Sequence, residues 1–187
     1  MTWALIIGGI VVVLLLAVVY LFNRVVRLRN EVDTGWSNID VQLKRRNDLI
    51  PNLVEVVKGY AAHERGVFEE VTAARASMAQ AATPAQAGAA DAQLGQALGR
   101  LFAVAESYPD LKASQNFLQL QSDLTDTEDK IAAARRYYNA SVLAYNNAIQ
   151  TFPTLLFAGL FGFGAREFFA ADEGERAPVA VSFPTQA

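Results

Sequence analysis

An uncharged run of about 20 residues near the start of the chain, at positions 3–22, constrains the fold more than any other feature. A helix rises about 1.5 Å per residue, so this run would reach about 30 Å, the thickness of a bilayer's hydrocarbon core. A cleavable signal peptide has an apolar region of only about 7 to 15 residues, a positive segment before it and a small-residue cleavage site after it. The sequence has none of these three features. We therefore predict that residues 1–23 form a retained transmembrane anchor.

Aromatic and basic residues flank the apolar run. Trp3 and Tyr20 lie near its two ends, where amphipathic rings favour the headgroup level, and Arg24, Arg27 and Arg29 follow it directly. By the positive-inside rule, the N-terminus would be outside and the bulk of the chain cytoplasmic, with a single pass through the cell (inner) membrane. The alternative is that the arginines extend to whichever interface they meet, which gives no direction. These five residues are the predicted membrane-interface residues, and the lipid bilayer is the predicted partner.

Composition limits what the remaining residues can do. About 165 residues follow the anchor, which is enough for one domain with a real core. The chain has no cysteine, which excludes disulfides and thiolate metal sites and fits a reducing compartment. The net charge is −3 and no long basic stripe occurs, so nucleic acid is not an expected partner.

Apolar residues after the anchor recur in alternating steps of three and four, which is typical of amphipathic helices and coiled coils. The first such seam extends from Trp36 to Met78, and a later one extends from Phe117 to Ile149. Pro51 falls inside the first seam, where we expect a kink and not an end. The predicted fold class is all-α, with the transmembrane helix continuing into an elongated up-and-down (antiparallel) helical bundle. The bundle is predicted over residues 24–151, with helices at about 24–80, 84–107 and 114–151.

Two connections determine how these helices are arranged. Thr83 and Pro84 form a cap followed by proline at the first helical position, which predicts a chain reversal. Residues 109–114 allow two paths. If they only kink the chain, the second and third helices together return along the first; if they form a full turn, an up-and-down bundle of three helices results. Pro109 and the capping residue Ser114 favour the turn.

The C-terminal part of the chain contains a second apolar segment, predicted at 152–171. Its core, residues 155–163, is uncharged but too short to cross a bilayer as a helix. It can form a last core helix or lie in the membrane interface. Residues 172–187 are rich in alanine, proline and polar residues, and we expect a loosely ordered tail.

Four charged residues occupy positions within the apolar seams: Arg46, Glu64, Glu128 and Arg135. A buried ion that loses its partner costs about 3 to 5 kcal/mol, so buried charges of this kind select register and partner. The alternatives are ion pairing between helices and a position at the rim of the seam with the charged group in water. The sequence leaves both open.

No arrangement of residues indicates chemistry. His63 is the only histidine, and a zinc protease would need a second one four residues later, where the chain has Val67. We therefore expect no catalytic, cofactor-binding or metal-binding residues and no enzyme activity. Tyr-Asn pairs at 138–139 and 145–146 repeat after seven residues. They are either a recognition surface or, as we favour, core rings whose hydroxyl groups find hydrogen-bond partners.

Long sequence blocks resemble the LemA family of bacterial membrane proteins. The blocks are RNEVDTGWSNIDVQLKRRNDLIPNLVEVVKGYAAHE at 29–64, AVAESYPDLKAS at 103–114, ARRYYNASVLAYNNAIQTFP at 134–153 and PVAVSF at 178–183. The resemblance implies a single-pass N-terminal anchor, a short tail outside and a long helical bundle inside the cell. It supplies no catalytic positions, and relatives that take part in building magnetosome membranes suggest membrane organisation.

Together these features predict a membrane-anchored, non-enzymatic helical scaffold. It would self-associate as a homo-oligomer through its long seams and organise partners or membrane at the cytoplasmic face. The alternative is a single-pass membrane sensor or signal-relay protein, in which the rod around Pro51 transmits a state across the bilayer. The sequence does not identify any other protein partner.

Overall fold

A computed structural model describes residues 2–169, which form six α-helices and no strand. The fold is all-α, as the sequence predicts. The helices are α1 (Thr2–Lys58), α2 (Arg65–Gln80), α3 (Pro84–Glu106), α4 (Pro109–Lys112), α5 (Gln115–Gln150) and α6 (Leu155–Ala158).

Helix α1 is the longest element and joins the apolar run to the bundle without a break. It has 57 residues, so it is about 85 Å long at the usual helical rise. Pro51 lies inside it and does not end it, because residues on either side keep the helix packed: Ile50 and Leu53 are both buried. No linker therefore separates the N-terminal segment from the bundle.

The long helix predicted at 24–80 is divided in two. Helix α1 ends at Lys58, residues 59–64 form turns, and α2 begins at Arg65. The periodic pattern predicted that Tyr60 would follow Val57 in the seam, but Tyr60 is 47% exposed and Ala61 is buried instead. The predicted spacing therefore fails within the turn but resumes in α2, where Val71 and Ala74 are buried, and this continuity conceals the break.

Two further reversals make an up-and-down bundle of four long helices. Helix α1 packs along α5 and α2 along α3. The rings of Phe102 near the end of α3 and Phe117 near the start of α5 lie 6.2 Å apart, so α5 returns beside α3. Of the two paths open at 109–114, the chain takes the full turn, with α4 inside it. The bundle has four helices and not three because the predicted first helix is split.

The α2–α3 connection has the capping interactions that its residues predict. Thr83 is the N-cap of α3, and its side chain accepts a hydrogen bond from the Gln86 amide at 3.3 Å, while Pro84 begins the helix. The Gln86 side chain in turn accepts from the Ala82 amide at 2.9 Å. The bond to Thr83 satisfies one of the amide groups that a helix start leaves without partners, and the bond from Ala82 ties the preceding residue to the first turn of α3.

The core has two halves along the bundle. The distal half involves all four long helices. The half beside the apolar run, which we call the membrane-proximal half after the predicted anchor, involves mainly α1, α5 and the C-terminal segment. The distal half includes Ile50, Leu53, Val57, Phe68, Val71, Leu94, Leu101 and Phe117. The membrane-proximal half includes Val25, Val32, Ile39, Leu43, Ile131, Tyr138, Val142, Tyr145, Phe163 and Phe169.

After α5 the chain folds back along the membrane-proximal half. Helix α6 is a single turn, and residues 163–169 lie against α1 and α5 without regular structure. Gly162 has a φ of 72°, a left-handed conformation that residues with a Cβ seldom adopt. Residues 170 and 171 of the predicted apolar segment, and the whole tail predicted at 172–187, lie outside the described residues.

Candidate functional site: the membrane-proximal half of the bundle

The apolar start of α1 is fully exposed to its surroundings. This helix is long and apolar enough to cross a membrane, and none of the rest of residues 2–169 buries its most apolar window. Trp3 is 76% exposed and Tyr20 is 63% exposed. Arg24, Arg27 and Arg29 are exposed, whereas Val25, one position after the first arginine, is 1% exposed. The bundle core therefore begins directly beside the arginines.

A buried arginine joins three helices between the two halves of the core. Arg46 on α1 is 1% exposed. Its Nη2 atom donates to Asp91 on α3, which is also buried. Its Nη1 atom donates to Glu128 Oε2 on α5 at 2.6 Å, and the Glu128 side chain is 58% exposed. One guanidinium thus links α1, α3 and α5, with one partner inside the core and the other at its rim.

Burial determines the titration of the inner carboxylate. Desolvation raises the pKa of Asp91 above its usual 3.8, the positive charge of Arg46 offsets part of this shift, and the negative charge of Glu128 adds to it. Arg135 is half-buried on α5 and lowers the pKa of Asp91 by its charge. The structure thus brings Arg46, Glu128 and Arg135 to one cluster.

Glu64, the fourth charged seam residue, lies elsewhere. It is half-buried at the N-cap of α2, where its side chain makes no capping hydrogen bond. His63 is exposed in the same turn. Within residues 2–169, no group of three or more His, Asp or Glu residues has the arrangement to hold a metal ion.

The repeated Tyr-Asn pairs hold the C-terminal segment against α5. Asn139 Oδ1 accepts from the Phe169 amide at 2.9 Å, and Asn139 Nδ2 donates to the Phe169 carbonyl at 3.2 Å. One heptad later, Asn146 makes the same pair of bonds to Arg166, at 2.8 and 2.9 Å. Seven residues are about two helical turns, so the side chains of Asn139 and Asn146 face the same side of α5. The asparagines therefore clamp the backbone of residues 166–169.

The tyrosines of the two pairs pack beneath this clamp. Tyr138 and Tyr145 are 2% and 1% exposed, which agrees with the interpretation as core rings. The Tyr138 hydroxyl donates to the Glu167 carbonyl at 2.8 Å, and burial raises the pKa of Tyr138. The repeat is therefore both core and recognition surface, and what it recognises is the protein's own backbone.

The clamped segment also contacts α1. Arg166 donates from Nη2 to Asp33 Oδ1 at 3.0 Å, across an exposed surface. The Phe169 ring is buried, and its centroid lies 6.5 Å from that of Trp36. The Trp36 ring in turn lies 5.8 Å from the Tyr138 ring.

Helices α1 and α5 come close here because Gly35 has no Cβ. A Cβ at that position would be 3.2 Å from the Tyr138 Cα.

Three of these residues, Asp91, Asp33 and Arg166, are not predicted from the sequence. Asp91 lies inside the helix predicted at 84–107, but in an alanine-rich stretch without the large apolar residues that would indicate which face is buried. A usable signal was present, since Asp91 is the only charged residue between Arg75 and Arg100. The pairing of Asp33 with Arg166 spans 133 positions, and neither residue stands out in the sequence.

The fold and this site define a class: an all-α, membrane-associated bundle whose first helix joins an apolar segment to the core. The LemA family model matches residues 35–183. The chain therefore belongs to the LemA family. The matched region begins at the close approach of α1 to α5 and includes the charge cluster and the clamp.

Similar proteins support the same assignment. Magnetosome protein MamQ of Magnetospirillum gryphiswaldense is 29% identical over 79% of this chain and 64% of its own length. Magnetosome protein MamQ 2 of Paramagnetospirillum magneticum is 28% identical over 84% of this chain and 68% of its own length. Protein LemA of Metamycoplasma hominis is 29% identical over 86% of this chain and 74% of its own length. The match to the first MamQ thus covers less than two thirds of that relative.

Proposed function

We propose that this protein is a non-enzymatic scaffold, anchored in the cell membrane by residues 1–23, that self-associates and organises partners or membrane at the cytoplasmic face. The observation that carries the proposal is the continuity of α1 from the apolar run into the bundle core. A helix without a linker sets the distance and direction of the bundle relative to the bilayer, which is what a scaffold requires. Magnetosome proteins among its relatives fit a role in membrane organisation.

Self-association would use other surfaces than the apolar seams. The periodic pattern predicts self-association through the seams, but the seam residues Ile39, Leu43 and Ile50 are buried within one chain. Large apolar side chains remain exposed on the outer faces of α1 and α5, where Val41 and Leu143 are 58% and 53% exposed. These faces, together with the anchor helix, are the candidate contacts between copies.

Mass photometry of the full-length protein in a mild detergent tests the proposal. The scaffold predicts particles with several copies of the chain, after subtraction of the detergent measured from empty micelles. Leu143→Glu would reduce the number of copies if the membrane-proximal end of the outer face of α5 contributes, and Leu118→Glu, on the same face at the far end of α5, tests whether the contact extends along the whole helix. A strictly monomeric protein at all concentrations would contradict the scaffold.

A signal-relay role is the second candidate, and the same continuity of α1 supports it. A shift of the membrane segment would move the core residues around Pro51 directly, because the helix continues through this proline. Relay predicts that Pro51→Ala changes the transcriptional response of host cells to membrane stress and leaves the copy number unchanged. Loss of both together would discard the relay.

A further inference from the structure

An exposed apolar surface lies at the end of the bundle where the chain leaves α5. We call residues 152–161 the apolar loop. Its large side chains are exposed: Phe152 by 79%, Leu155 by 59%, Leu156 by 69%, Leu160 by 85% and Phe161 by 51%. The sequence has no charged residue between Arg136 and Arg166. Clustered exposed apolar groups of this kind mark a surface that another apolar phase covers.

The apolar loop is held in place from its other side. Thr154 and Ala158 are buried, and Phe163, just after the loop, packs into the membrane-proximal core. The rings of Phe157 and Phe161 meet edge to face, with centroids 6.0 Å apart. The exposed side chains therefore belong to an ordered surface with one face in the core and the other directed outward.

Contacts with α1 show where this surface lies relative to the apolar run. Phe22 is the last residue of the apolar run. The centroid of its ring lies 5.2 Å from that of Phe161 and 5.5 Å from that of Phe163. Arg24 and Arg27 are exposed within the next two helical turns. The apolar loop is thus continuous with the lipid-facing surface of α1 and lies at the level where that surface ends.

We propose that the apolar loop inserts into the bilayer beside the anchor, in the leaflet from which α1 emerges after Phe22. It is too short to cross, so it lies in the interfacial region, where apolar side chains enter the acyl boundary. The inference depends on the anchoring in the proposed function, but not on self-association. A single helix leaves a bundle free to tilt and rotate on the membrane, whereas a second contact fixes its orientation.

The absence of cysteine from the sequence allows a direct depth measurement. Leu160→Cys in the full-length chain is labelled with a nitrobenzoxadiazole fluorophore and reconstituted into vesicles of phosphatidylcholine and phosphatidylglycerol. Leu118→Cys is the matched control, since it replaces an exposed leucine on α5. Leu118 lies about 45 Å from the end of α5 that is next to the apolar loop. Both replaced side chains are exposed, so neither change disturbs the core.

Insertion predicts blue-shifted emission at position 160, quenching by doxyl-labelled lipid and protection from aqueous iodide. The control at position 118 shows the reverse pattern. Iodide quenching at 160 equal to that at 118 would overturn the proposal, because the loop would then be in water. Protection from both quenchers would also overturn it, because it would indicate that a second copy of the chain covers the loop.

A second variant separates this inference from the anchoring itself. Leu156→Glu places a charge on the exposed face of the loop, and with Leu160→Cys it should move the probe to iodide-accessible water. The protein should still sediment with the vesicles, since α1 holds it there. Unchanged lipid quenching would contradict insertion of this face, whereas loss of sedimentation in the unsubstituted protein would contradict the anchor instead.

Discussion

Arg46 is the residue on which the centre of the bundle depends most. Its guanidinium is buried between carboxylates from two other helices. Arg46→Met would remove the ion-pair partner of the buried Asp91 carboxylate. We therefore expect a loss of about 3 to 5 kcal/mol in the free energy of unfolding. Chemical unfolding in detergent, followed by circular dichroism, measures this loss.

The double variant tests whether the cost arises from the charge left behind. Arg46→Met with Asp91→Ala removes both buried ions, and Glu128 stays at the rim in contact with water. We expect most of the lost stability to return, because apolar replacement of a buried pair is often close to neutral. A double variant as unstable as the sum of the two single variants would contradict this account.

Asp91 should also give the bundle a particular pH dependence. Its folded-state pKa is raised above 3.8 by burial, so the folded state binds this proton more tightly than the unfolded state. The stabilisation from this proton is complete below 3.8 and is lost as pH rises through the folded-state pKa. Asp91→Asn cannot titrate, so the stability of the native protein relative to this variant should fall as pH rises above 3.8 and through the folded-state pKa of Asp91. Parallel melting curves of the two proteins would refute the shift.

Gly35 sets the closest approach of α1 and α5. A Cβ there would be 3.2 Å from the Tyr138 backbone, whereas a Cβ at Gly99 on α3 meets open space. Gly99→Ala should stabilise the protein by about 1 kcal/mol through helix propensity. Gly35→Ala should be about 1 to 3 kcal/mol less stable than Gly99→Ala because of overpacking. Equal effects in chemical unfolding would show that the helices can separate at no cost.

At the scale of elements, the asparagine clamp is the feature most open to a direct test. Asn146→Ala removes the acceptor of the Arg166 amide, and Asn139→Ala removes that of the Phe169 amide. A lost hydrogen bond of about 1.4 kcal/mol corresponds to roughly tenfold faster hydrogen exchange at the affected amide. Mass spectrometry resolves these peptides, and the exposed neighbour Asn147→Ala is the control. Equal exchange in all three variants would mean that the segment is not held by the clamp.

The helical class and the buried face of each helix follow from periodicity alone. The ends of the helices and the pairing between them do not. The buried faces around Ile39, Leu53 and Ile131 match the predicted steps of three and four. The turn at 59–64 escapes prediction because residues beyond it, such as Val67, continue the same spacing. Local spacing carries no information about which helices are neighbours. The pairing of Arg46 with Asp91, 45 positions apart, and the clamp at Phe169 therefore appear only in the folded chain.

At the scale of the whole molecule, the orientation across the membrane is testable with the same cysteine substitutions. The arginines at 24, 27 and 29 predict that the bundle is cytoplasmic. A membrane-impermeant maleimide should therefore label Leu118→Cys only after intact spheroplasts are lysed. Immediate labelling would place the bundle outside and reverse the proposed topology.

The central claim is that α1 is a permanent membrane anchor joined to the bundle without interruption. Carbonate extraction of host membranes, followed by intact mass spectrometry of the protein, tests it most directly. We predict the full-length mass, including residues 1–23, in the carbonate-resistant membrane fraction. A shorter polypeptide that begins after Phe22 and remains in the aqueous fraction would contradict the account.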